Sequence, residues 1–174
     1  MKRSILYKLV LMVFAGIAIS SCRDKPVYPS EPFIVYKDFL RYGNPSNPDS
    51  VELVVSFTDN EGDIGLEPAD TLPLGVFGPG NFWMIYFYWD TTGGTGHWSP
   101  LDMNLTTPAI DTFFIPYRVP PVLPDGDKNE PMKGFIYVKQ KKPFPPYRKI
   151  MYKAYMYDKA KHKSNTIDTP DINF

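Results

Sequence analysis

A chain of 174 residues with 19 basic and 19 acidic side chains has no excess of positive charge with which to coat nucleic acid. Its single cysteine excludes an internal disulfide, so whatever folds is held by its core. The 19 prolines argue against long helices, because proline removes a backbone donor and clashes with the preceding turn.

The first element in chain order is a leader. Lys2, Arg3 and Lys8 form a positive head, residues 9–19 are apolar apart from small side chains, and Ser20 and Ser21 follow. This is the layout of a secretory signal peptide. The apolar run is shorter than the roughly 20 residues needed to cross a ~30 Å hydrocarbon layer, which favours export with cleavage over a transmembrane helix. Residues 1–21 are therefore read as a removable leader, and the 153 residues that remain suit one domain. That remainder carries 16 basic and 19 acidic residues, a net charge of −3, with no electrostatic ground for binding nucleic acid.

Ile19-Ser20-Ser21-Cys22 resembles the lipobox of bacterial lipoproteins: an aliphatic residue, two small residues and the cysteine that is lipidated. The resemblance implies lipidation at Cys22, with diacylglycerol on the sulfur and an acyl chain on the new amino group. Each buried CH₂ would contribute about 0.8 kcal/mol, enough with two or more chains for a lasting membrane anchor. It also implies a cell-envelope location. Arg23, Asp24 and Lys25 are of the kind that sort lipoproteins between inner membrane, outer membrane and surface. The outer membrane, with the domain facing the periplasm or the surface, is the location expected. An ordinary signal peptide would instead leave a free thiol near the mature end. Residues 22–32 then form the lipidated cysteine and a tether. Pro26, Pro29 and Pro32 favour extended polyproline geometry at ~3.1 Å per residue, a semi-rigid stalk of about 30 Å at most.

From residue 33 onward the pattern is that of strands. Residues 33–40 are the first. In residues 51–58, Val51, Leu53, Val55 and Phe57 alternate with Glu52, Val54, Ser56 and Thr58, the period of a half-buried strand. Residues 82–89 are aromatic on both faces, as a central strand would be. Residues 111–119, 134–140 and 150–158 add three more, and a short one is expected within 164–172. Turn residues separate them, as in residues 44–49. No window shows helical periodicity. About seven strands predict an all-β, antiparallel β-sandwich over residues 33–174; a closed barrel would need eight or more of more even length.

Two stretches resemble the Ig-like domains of exported bacterial lipoproteins. One is Ser56-Phe57-Thr58-Asp59-Asn60-Glu61-Gly62-Asp63-Ile64-Gly65-Leu66, a strand running into an acidic loop. The other is Tyr157-Asp158-Lys159-Ala160-Lys161-His162-Lys163-Ser164-Asn165-Thr166, a tight turn flanked by an aspartate and a Ser-Asn pair. The resemblance implies an Ig-like sandwich and an envelope location, and says little of activity. Where such turns often carry glycine, this one has Lys161-His162.

The acidic loop carries the first candidate site. Asp59, Glu61 and Asp63 place three carboxylates at alternate positions, the donor type for calcium, which takes six to eight oxygens at 2.3–2.6 Å. The spacing is not that of an EF-hand, since Gly62 stands fourth in the loop and no glutamate closes it at the twelfth position. Any calcium site would need ligands from distant loops. The competing reading is a turn whose Asp and Asn side chains cap their own backbone.

Catalysis finds no signature. Only His97 and His162 are present, in no nucleophile or zinc spacing, and both read as solvated loop histidines. No cofactor other than calcium is implied. Trp98, between Gly96-His97 and Ser99-Pro100, is expected outside on a flexible loop, where a flat indole could stack on a sugar ring. Residues 143–147 form a proline-rich loop that could hold a partner protein. The chain thus reads as a lipid-anchored, non-catalytic structural or protein-interaction module, with no pocket and a flat apolar patch expected near the proline loop. The alternative is a carbohydrate-binding lipoprotein with a glycan partner in a cleft at Trp98.

Overall fold

The computed structural model describes residues 26–44, 46–71, 77–101, 114–122, 130–141 and 147–174. The leader, Cys22 with the start of the tether, and Pro143 to Pro146 of the proline-rich loop lie outside them.

The described residues form nine strands: β1 (Phe33–Asn44), β2 (Asn47–Asp59), β3 (Phe82–Asp90), β4 (His97–Pro100), β5 (Phe114–Tyr117), β6 (Met132–Lys141), β7 (Lys149–Met156), β8 (Ile167–Asp168) and β9 (Ile172–Asn173). The only helical element among them is one 3-10 turn, Pro68–Thr71. Every pairing is antiparallel. One sheet has the order β1-β2-β6; the other runs β4-β3-β7-β8, with β5 also on β3 and β9 also on β7. The second strand thus pairs with a late strand in one sheet while the third pairs with the penultimate group in the other, the connectivity of an Ig-like sandwich.

The count differs from about seven for two physical reasons. β4 begins straight after the glycine-rich stretch 93–96 and is only four residues long, too short for alternation to register. The closing strand is two short pieces, β8 and β9, separated by Thr169-Pro170-Asp171; proline cannot donate to a ladder and interrupts it.

The core lies between the sheets. Ile34, Leu53, Val55, Phe57 and Val138 from one sheet meet Phe82, Met84, Tyr86, Ile150, Tyr152, Ala154 and Met156 from the other. Tyr86 and Tyr152 are the largest fully buried side chains, packed edge to face with ring centroids 5.4 Å apart. A buried tyrosine needs a partner for its hydroxyl. Gln140 supplies it across the sheets, accepting from the Tyr152 hydroxyl at 3.0 Å and donating to that of Tyr117 at 2.7 Å.

Two side-chain amides bind the ends of these strands together. Asn81, fully buried, donates to the carbonyls of Ile64 (2.7 Å) and Tyr157 (2.8 Å) and accepts from the Val119 N–H (3.1 Å). Asn165, in the Ser-Asn pair, exchanges two 2.8 Å bonds with the backbone of Ile34, acting as a one-residue strand partner for the start of β1.

Candidate functional site

The acidic loop begins at the end of β2. Asp59, its last residue, is fully buried. Gly62 then takes φ = 67°, a left-handed conformation open to glycine at no steric cost. The chain doubles back, and the Asp59 carboxylate accepts the Asp63 N–H at 3.0 Å. Gly65 sets the close approach of the loop to the segment after β5. A Cβ there would stand 2.5 Å from the Pro121 Cα, so only glycine lets the two backbones meet.

A second loop completes the site. Asp158 follows β7 by one residue and is fully buried as well. Its carboxylate accepts the His162 N–H at 2.7 Å and faces the His162 Nδ1 at 2.8 Å. The Lys159 N–H donates to the Asp63 carbonyl at 3.0 Å, and Asn81 grips both loops through Ile64 and Tyr157. Together these bonds bring one carboxylate oxygen from each of Asp59, Asp63 and Asp158 within 4.8 Å of one another.

The electrostatics reflect that crowding. Burial, with the neighbouring Asp63 and Asp158 carboxylates adding to it, pushes Asp59 up to about 6, despite the Asp63 and Gly62 N–H groups that favour its anion. Asp63 is raised for the same reasons, burial first and then Asp158 and Glu61. The Asp158 carboxylate in turn holds the His162 imidazole above its ordinary value. Among the described residues, three buried carboxylate oxygens have no hydrogen-bond partner: Asp59 Oδ1, Glu61 Oε2 and Asp63 Oδ1.

Of the residues singled out from sequence, the structure therefore brings Asp59 and Asp63 together and adds Asp158. Glu61 stands outside the close trio, although its charge acts on Asp63. Asp158 lay in the turn stretch of residues 157–166, but nothing in linear spacing ties a residue 95 positions away to the loop at Asp63. His97 is exposed, as expected of it. His162 is also on the surface, yet its ring is engaged by Asp158 rather than merely solvated.

Trp98 is not on a flexible loop. It sits in β4, half-buried, paired with Trp89 on β3. The two indoles meet edge to face at 5.3 Å. Lys149 Nζ lies 4.3 Å from the Trp89 ring centroid and 5.3 Å from that of Trp98, a cation–π arrangement. Tyr88 is likewise engaged, stacked on Tyr147 at 4.0 Å.

The exposed aromatics are elsewhere. On the outer face of the β1-β2-β6 sheet, Phe33, Val35, Phe135 and Tyr137 are 50%, 38%, 56% and 60% exposed. The Phe135 and Tyr137 rings are 6.3 Å apart, and Val35 and Phe135 flank Ser56 in register. A cleft of about 410 Å³ runs alongside, lined by Phe135 and Tyr137 from β6 and by Tyr117 to Pro120 and Val122. Among the described residues β6 pairs only with β2, leaving its other edge open. Comparison with protein-family models, with curated proteins and with solved structures yields no match.

Proposed function

We propose that the chain is a lipid-anchored lipoprotein of the cell envelope, held at the outer membrane through Cys22, whose β-sandwich is a non-catalytic module that docks a partner protein along β6. The observation that carries this reading is the apolar row Phe33, Val35, Phe135 and Tyr137 on a sheet face, next to a strand edge that no other strand pairs among the described residues. Burying such side chains against a partner is favourable by roughly 25 cal/mol per Å², and contiguous exposed patches of this kind mark interaction sites. The leader and Cys22 supply the location. Carbohydrate capture through Trp98 has less support, because the indole's surroundings are already taken by Trp89 and Lys149.

The test is site-specific photo-crosslinking of the full-length lipoprotein in its native cells. A photoreactive residue in place of Phe135 should capture one defined envelope protein, whereas the same residue in place of Thr92, exposed on the β3–β4 turn of the other sheet, should not. Tyr137→Ser should abolish a capture made from position 135. No defined product at Phe135, together with saturable glycan binding lost in Trp98→Ala, would replace this reading with the carbohydrate one.

A further inference from the structure

We propose that Asp59, Asp63 and Asp158 form a binding site for a hard divalent cation of the calcium class, which clasps the acidic loop after β2 to the turn after β7. Clustered carboxylates are common on protein surfaces, but of these three only Asp63 is even partly exposed. Asp59 and Asp158 are fully buried, and Asp59 Oδ1 has no hydrogen-bond donor. An ionised oxygen removed from water without a donor is costly unless a positive charge meets it. Asp63 Oδ1 is in the same condition. Among the described residues, the only basic side chain bonded to the trio is His162, and it reaches Asp158 alone.

The geometry fits the ion. Oxygens on opposite sides of a calcium with bonds of 2.3–2.6 Å are roughly 5 Å apart, and the three carboxylate oxygens lie within 4.8 Å of each other. Oxygen-only donors exclude the softer metals, which select sulfur or imidazole. Glu61, whose Oε2 is also buried without a partner, stands ready as a fourth carboxylate. The His162 bonds to Asp158 are of the kind that orient a metal ligand from outside. The loops are otherwise joined by the Lys159–Asp63 backbone bond, by the Ala160 N–H on the Asp63 carboxylate and by Asn81, so a cation here would stabilise the end of the sandwich where the two loops meet. The cation site is independent of the docking face on β6, and either can fail without the other.

The test uses the full chain in detergent micelles, stripped with a chelator and titrated with calcium chloride. Exported calcium modules bind at about 0.1–1 mM. A tenfold excess over Kd should raise Tm by roughly 3–6 °C in a domain of this size. Terbium at the site should show emission sensitised by Tyr157, next to Asp158, and calcium should displace it. Asp59→Asn and Asp63→Asn should each weaken calcium about tenfold or more, while Asp168→Asn, at the exposed residue of β8, should leave it unchanged. Absence of any Tm shift or calcium-displaceable terbium emission in the unmodified chain overturns the proposal. So does calcium binding that survives Asp59→Asn intact. Should the Asn variants fail to fold, the titration of the unmodified chain decides by itself.

Discussion

At the scale of single residues, the turn after β7 stands in an uncommon conformation. Lys161 has φ = 71°, the only positive value at a non-glycine among the described residues. A side chain there brings Cβ too close to the following carbonyl, at a cost of roughly 1–2 kcal/mol. Glycine takes this conformation at no steric cost, whereas here a lysine holds it. Lys161→Gly should therefore raise stability by about 0.5–1 kcal/mol, the relief of strain exceeding the extra freedom of the unfolded chain. Chemical denaturation should show a higher midpoint at unchanged slope. The neighbouring Asp158 illustrates what linear reading misses. Its burial and its approach to Asp59 and Asp63 depend on β7 leaving the opposite sheet beside the end of β2, and no periodicity encodes that meeting.

At the scale of elements, alternation identified most strands because their two faces differ. In β2, Val51, Leu53, Val55 and Phe57 are all buried, as their period of two requires. In β6 the strand was legible, but its direction of facing was not. Phe135, Ile136, Tyr137 and Val138 are bulky on both faces, so hydrophobicity could not say that Phe135 and Tyr137 turn outward while Val138 enters the core. β4 was hidden by its shortness, and with it the true setting of Trp98. Asn81 was invisible for a different reason: an asparagine before a strand reads as a turn residue, yet this one is the buried clamp between the acidic loop, β5 and β7. Asn81→Ala leaves two carbonyls and one N–H without their partner, each worth about 1–3 kcal/mol when buried. A loss of about 2–4 kcal/mol in unfolding free energy is expected. Asn81→Asp should also destabilise, since a carboxylate cannot donate to Ile64 and Tyr157.

At the scale of the whole molecule, a lipid anchor, a proline-bearing tether and a cysteine-free sandwich with an apolar outer face make one proposed device. The sandwich was legible from seven runs of strand pattern and from the shortage of helical ones. The order of its strands was not, because pairing between distant segments leaves no mark on local sequence. An apolar face is a liability for a protein free in solution, prone to association with whatever it meets. On a tethered domain in the envelope it becomes a docking surface held near its partner's membrane. Location is thus the premise on which docking rests, and Cys22 is the premise of location. Intact-mass measurement of the protein purified from its native membranes tests it most directly. The account predicts a chain that begins at Cys22 and carries the added mass of a diacylglyceryl group and an acyl chain. A chain that retains residues 1–21 and bears no fatty acyl groups would contradict it.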